Sequence, residues 1–441
     1  MLEKLDLFIK NGSVVLGDKI EKLNIGVTKN KITLISSSSN YSAKKIINAN
    51  HLHVLPGIID SQVHFREPGS EYKEDLHTGS KGAILGGVTS VFEMPNTYPP
   101  TATKKLLNDK FKLAKNRMWS NYAFFGGATG KNIDKLSSLE KVPGCCGIKI
   151  FMGSSTGNLL VPDDETLFKV LSSRNYRVAV HAEDEERLNK RKKLITEPSV
   201  HFHTVWRDEL TAIQATKRVI KAAKKTKKPV HILHITTEQE VDIIKKNKKY
   251  ISMEVTPQHL TLSAPDCYDK IGTYAQMNPP IREIKHQKAL WKGIRENVVD
   301  VIGSDHAPHT KEEKNNTYPN TPSGMPGVQT LLPIMLNHVN NRKLSLNKLC
   351  KLISTNPAKL YKAKNKGQIK LNYDADITIV DLKKSQTITN KQMATKSGWT
   401  PYDGKKVTGW PIMTIVNGSL VMKNGKVIGD PIGKPIIFER E

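Results

Sequence analysis

The stretch PGIIDSQVHFREPG, residues 56–69, decides how the chain is read. The apolar pair Ile58-Ile59 leads into polar residues that stop at Pro68-Gly69, the pattern of a buried strand ending at a loop. Seven later segments repeat the pattern: VTSVFEMPN (88–96), NYAFFGGAT (121–129), GIKIFMG (147–153), RVAVHAED (177–184), VHILHIT (230–236), ISMEVTPQHL (251–260) and VDVIGSDHAPH (299–309). Helix-length stretches such as 208–225 separate several of them, with apolar residues near 3.6 spacing. Strands alternating with helices predict a parallel sheet. Eight such units predict an α/β fold, a closed (β/α)8 TIM-like barrel over residues 56–365.

The flanks read differently. The first 55 residues carry short β-type runs (7–9, 13–16, 23–27 and 32–35) separated by Asn, Gly and Lys turns. Residues 366–441 return to that character in ADITIVDL and in PIMTIVNGSLVMKNGKVI, where KNG is a hairpin signal. The two ends are expected to join as one small composite β-sandwich domain, 1–55 with 366–441.

The 441 residues are enough for a barrel plus such a satellite. The opening MLEKLD is charged and has no apolar core, so no signal peptide is expected. No apolar run reaches the roughly 20 residues a membrane span needs. The four cysteines, Cys145, Cys146, Cys267 and Cys350, form no spaced zinc motif, and so few fit a reducing compartment, hence the cytoplasm. The net charge of +26 comes mostly from Lys scattered with Asn, as in KAAKKTKKP, and reads as the polar faces of helices. A nucleic-acid binder would concentrate Arg among aromatic residues, so neither a nucleic acid nor a membrane is an expected partner.

Polar residues gather at the strand ends, where barrels of this kind do their chemistry. His64, Asn96, Lys149, His181, His234 and Asp305 each lie at or near the end of an apolar run. One such histidine is unremarkable; six residues at equivalent places predict a joint site. The three imidazoles are zinc-type nitrogen ligands. Asp305 can hold a metal or take a proton from water, and a metal makes hydroxide available near neutral pH to attack an amide carbonyl. His306 and His309 beside it offer a group to orient substrate. Lys149 alternates with Ile148 and Ile150 and is expected to face the barrel interior. Burial lowers its pKa; it either pairs with a carboxylate or, as a neutral amine, adds carbon dioxide to give a carbamate. Arg66 shares the face of His64 and can clamp a carboxylate, while Asn96 and Asn278 place amides on Pro-stiffened loops. The pair His51 and His53 enters the barrel from the wrong end, and His201 and His203 read as loop residues. The polar loop between Asp305 and PSGMPG (322–327) is expected to cover the site.

With these motifs assembled, the chain resembles the dihydroorotases of the amidohydrolase superfamily over nearly its whole length. PGIIDSQVHFREPG, MPNTYPP, GIKIFMG, VHAE, LHIT, MNPPIR and SDHAPH fall in that family's order. The resemblance implies that Lys149 is carboxylated and bridges two metals, that His181 and His234 bind one zinc, and that His64 and Asp305 belong to the other. It implies Asp305 as general base, with Arg66, Asn96 and His309 on the substrate carboxylate. The implied reaction is reversible cyclisation of N-carbamoyl-L-aspartate to L-dihydroorotate in de novo pyrimidine biosynthesis. Hydantoinases (dihydropyrimidinases) and allantoinases share the lysine and histidine motifs; Arg66 and Asn96 tilt the choice to dihydroorotase.

Gln62 departs from the pattern, which has His there as a ligand of the first metal. A neutral amide is a weaker zinc ligand, so the expectation is one firm zinc and at most a weaker second. A catalytically silent homologue partnering aspartate carbamoyltransferase is the other reading of Gln62, and retention of Lys149, His181, His234 and Asp305 argues against it. The resemblance also admits a homodimer.

Overall fold

A computed structural model describes residues 4–154, 159–174 and 176–440, so the first three residues of the charged opening lie outside it. Eight parallel strands follow one another in chain order around a barrel: Ile58–Val63, Val88–Glu93, Asn121–Gly127, Cys145–Phe151, Val178–His181, Val230–Ile232, Ile251–Val255 and Val301–Ile302. The ring closes between the first and last, where Val63 bridges His306 and the His64 N–H donates to His306 O at 2.7 Å. Every residue of these strands is buried. That fits their near-continuous apolar character, because a parallel barrel strand has no solvent face.

The strands divide their side chains between two cores. Ile58, Val91, Ile148, Val180 and Ile232 face the helical layer. Ile59, Phe92, Phe125, Cys146 and Ala179 fill the interior with Tyr361 and Phe438. On the fourth strand the alternation breaks: Cys146 is inside, Ile148 outside. The register against the third strand slips there, from Phe124↔Cys145 to Phe125↔Gly147, and Gly147 sits at φ 152°. This bulge resets the parity, and Lys149 faces the interior beside Phe151, its Nζ 4.4 Å from the ring centroid.

Helices between the strands begin where the sequence supplies caps. Asp208 accepts from Thr211 N at the start of Glu209–Thr226, whose buried Ala212, Ala215, Val219 and Ala223 form the apolar stripe. Thr237 and Glu240 make a capping box on Glu238–Lys245.

The chain ends build a nine-stranded mixed sheet. The N-terminal part contributes Leu5–Leu16, Lys19–Thr28, Lys31–Ser36, Ala43–Asn48 and His53–Pro56; the C-terminal part adds Ile377–Thr387, Lys406–Val416, Ser419–Lys423 and Lys426–Val427. The halves join where Val54 pairs antiparallel with Ile379. The sheet carries its own apolar core, including Ile9, Val14, Ile25, Val54, Ile377 and Ile415. His53 opens one of its strands, far from the strand ends that bear the other histidines. Among the described residues, no helix is long and apolar enough to cross a membrane.

Candidate active site

Gln62, His64, Lys149, His181, His234 and Asp305 line one cavity at the C-terminal end of the barrel, and Arg66, Asn96 and Asn278 complete its wall. Three of these residues leave their strands in the left-handed region, Arg66 at φ 63°, His234 at 36° and Asp305 at 44°. Such conformations cost about 1–3 kcal/mol each in non-glycine residues and persist where the surroundings dictate them. Here they turn the side chains sharply inward. A larger cavity, about 570 Å³, lies at the opposite end among Arg177, Tyr361 and Arg440, away from these groups.

The site divides into two pairs. On one side His181 Nδ1 and His234 Nε2 approach to 3.0 Å. His181 Nε2 lies 2.9 Å from Glu183 Oε2, and Arg207 also donates to that oxygen. Burial would raise the Glu183 carboxyl, but the Arg207 charge and the His181 N–H pull it down to about 2. An ionised Glu183 accepts a hydrogen bond from the Nε2–H of a neutral His181, leaving the Nδ1 lone pair turned toward His234. Burial lowers the pKa of both imidazoles, so both are in the ligand form. Two nitrogens on one tetrahedral zinc lie about 3.3 Å apart, given Zn–N bonds near 2.0–2.1 Å.

On the other side His64 Nε2 faces Asp305 Oδ1 at 3.2 Å, while His64 Nδ1 meets Asn96 Oδ1 at 2.7 Å. Gln62 Nε2 donates to the same Asp305 oxygen at 2.9 Å. Burial alone would raise the Asp305 carboxyl; the His64 hydrogen bond first, and the electrostatic pull of the surrounding His234, His64 and Lys149 side chains, hold it well below the usual carboxylate range. Asp60 Oδ1 ties the two strands together by accepting from Gln62 N (3.3 Å) and Ser304 N (2.9 Å).

Among the described residues, Lys149 Nζ is buried without a hydrogen-bond partner, as are His234 Nδ1 and Gln62 Oε1. Burial brings the Lys149 amine down to about 7, against the opposing pull of Asp305 and Glu254. Among the described residues no three of His, Cys, Asp and Glu gather into a metal-binding group. The converging nitrogens of His181 and His234 nevertheless fit a zinc-type ion, provided Lys149 supplies the oxygen donor that a carbamate would give.

The substrate-side residues are only partly assembled. The Arg66 guanidinium is buried, donates from Nε to Pro308 O at 3.1 Å, and makes no ion pair among the described residues. Its Nη2 lies 3.3 Å from His309 Nε2. His309 does not itself line the cavity; it packs behind Ser323 and Gly324, which do. Ser323 and Gly324 belong to PSGMPG itself, and the polar loop before it includes a short helix, Lys311–Lys314. Lys314 is buried and donates to Gln276 O, Pro322 O and Gly324 O, which holds that wall in place.

His203 departs from its loop reading. It lies buried in the helix Phe202–Trp206, with Nε2 within reach of Met277 O (2.9 Å) and Asn278 Oδ1 (3.1 Å). It orients Asn278. Glu183 and Arg207 were also not anticipated; the only available signal was the acidic residue two positions after His181.

A family model described as "Amidohydrolase family" matches residues 53–421. The chain is 37% identical to a dihydroorotase from Pyrococcus abyssi over 98% of its own length and 97% of that protein's. It is 32% identical to an allantoinase from Desulfitobacterium hafniense over 97% and 98%. Among solved structures, an L-hydantoinase (dihydropyrimidinase) from Arthrobacter aurescens superposes with a TM-score of 0.94 at 27% identity, over 98% of this chain and all of that one.

Proposed function

The chain belongs to the amidohydrolase family, and within it we propose that it is a dihydroorotase, interconverting N-carbamoyl-L-aspartate and L-dihydroorotate in de novo pyrimidine biosynthesis in the cytoplasm. One observation carries the choice of substrate. Arg66 is a buried guanidinium on the cavity wall with no carboxylate ion-paired to it among the described residues. Asp305, Glu93, Glu313 and Glu74 offset part of the cost of burying its charge, and a ligand carboxylate in direct contact would supply the ion pair that the wall lacks. Dihydroorotate carries a carboxylate; hydantoin, dihydrouracil and allantoin rings do not.

In this reading His181, His234 and a Lys149 carbamate would hold a zinc ion. The ion supplies Lewis acidity and an activated water nucleophile when bound. Asp305, kept ionised by its neighbours, takes the proton of the attacking water and later returns it to the ring nitrogen as the carbon–nitrogen bond breaks. Arg66 holds the substrate carboxylate, with Asn96 and Asn278 presenting amides to the ring. Glu183 fixes the His181 tautomer.

Arg66→Met tests the choice. It should raise KM for L-dihydroorotate by roughly a hundredfold, the loss expected of a buried charge-assisted pair, and leave turnover of a carboxylate-free ring unchanged. An unaltered KM would remove dihydroorotate as the substrate and favour a hydantoinase or allantoinase activity.

A further inference from the structure

Lys73 follows Arg66 in the same loop and reaches His309 from the side opposite Arg66. Its Nζ lies 3.2 Å from His309 Nδ1 and 2.7 Å from Glu313 Oε1. An ammonium has three donors and no acceptor, so the histidine contact requires an unprotonated Nδ1. The proton of a neutral ring then sits on Nε2, which lies 3.1 Å from the acceptor Ser323 O. Each ring nitrogen faces one donor and one acceptor: Nδ1 has Lys73 Nζ at 3.2 Å and Glu313 Oε2 at 3.6 Å, Nε2 has Arg66 Nη2 at 3.3 Å and Ser323 O at 3.1 Å. The nearer acceptor at Nε2 and the nearer donor at Nδ1 favour Nε2–H. Burial, reinforced by the Arg66 and Lys73 charges, keeps the ring neutral, with its pKa pushed down to about 3 despite Glu313. Trp399 Nε1 holds the His309 carbonyl at 2.8 Å, so the backbone is pinned as well.

The consequence lies on the far side of the ring. His309 Nε2–H stands 3.3 Å from Arg66 Nη2, so two donors sit side by side with only Ser323 O between them and the cavity wall. That array suits a carboxylate, which takes a charge-assisted bond from each donor. We propose that Lys73, ion-paired to Glu313, is a positioning residue that fixes His309 as the Nε2–H tautomer, giving Arg66 a neighbouring donor, shared with Ser323 O, for the substrate carboxylate. The proposal rests on the carboxylate-bearing substrate named above and extends its recognition to a residue that never touches it.

Long-range proton–nitrogen NMR on histidine-labelled protein reads the tautomer directly, with the His309 signals identified by their loss in His309→Gln. The expected pattern has Nε2 protonated, shifts toward Nδ1 protonation in Lys73→Met, and returns in Lys73→Arg. In kinetics, Lys73→Met should raise KM for L-dihydroorotate about tenfold with kcat within about twofold, and leave dihydrouracil unaffected. A wild-type Nδ1–H pattern, or a pattern unchanged in Lys73→Met, would overturn the role of Lys73. An equal KM effect on dihydrouracil would overturn the carboxylate clamp. Absence of any dihydroorotate turnover by the wild type would sink the substrate reading alone, because the NMR pattern decides the tautomer independently.

Discussion

The side-chain amide of Gln62 donates to Asp305 Oδ1 at 2.9 Å, the oxygen that His64 Nε2 faces at 3.2 Å. An amide N–H thus occupies the carboxylate oxygen that a metal beside His64 would need, and the position that would supply that metal with an imidazole supplies a hydrogen bond instead. One tightly held metal per chain is therefore the expected outcome. Metal analysis after dialysis against zinc should give about one equivalent for the wild type and about two for Gln62→His. Two equivalents in the wild type would show that the amide turns aside.

Glu183 holds His181 by its Nε2 proton at 2.9 Å. Glu183→Gln keeps the shape and removes the charge, so zinc affinity should fall by about 10–100-fold, the usual effect of losing a carboxylate behind a ligand histidine. Competition with a chromophoric chelator measures it. An unchanged affinity would mean that Glu183 serves Arg207 and not the histidine.

Lys149 gives a pH signature in metal-free, carbon-dioxide-free protein. Its folded pKa is lowered to about 7 by burial, against about 10.4 unfolded. Between those values the unfolded chain binds the extra proton, so stability must rise with pH across the window and be lost as pH falls toward 7. The contribution is on the order of 5 kcal/mol at most. Denaturant unfolding from pH 7 to 10 should show the rise in wild type and lack it in Lys149→Met. Equal profiles would contradict a buried, unpaired amine.

Gly147 makes the bulge that turns Lys149 inward. At φ 152° an added Cβ would lie 2.6 Å from Arg177 O, so Gly147→Ala must either strain the strand or restore its register. Loss of about 1–3 kcal/mol of stability is expected, together with loss of bicarbonate-dependent metal binding. Unfolding curves and metal analysis check both; an alanine variant with normal metal content would show that the register does not depend on the bulge.

The barrel was legible because each of its strands is an apolar run that stops at a polar residue, from Ile58 to Asp305. The cavity was legible for the same reason: His64, Lys149, His181, His234 and Asp305 close those runs. The inward direction of Lys149 was inferred from alternation around it, but the bulge at Gly147 that makes it possible depends on the register with a neighbouring strand, which no local pattern encodes. Lys73 belongs to no motif in the sequence; only folding brings it against His309. His203 was passed over because its partner, Asn278, lies 75 positions away.

The central claim is that this cavity opens and closes a carboxylate-bearing cyclic amide with the help of Lys149. Ultraviolet-monitored hydrolysis of L-dihydroorotate by protein supplied with zinc and bicarbonate tests it most directly. The account predicts turnover that disappears in Lys149→Ala and exceeds turnover of hydantoin, dihydrouracil or allantoin by about a hundredfold or more. Folded, zinc-loaded protein that leaves L-dihydroorotate intact, or that prefers a ring without a carboxylate, would contradict it.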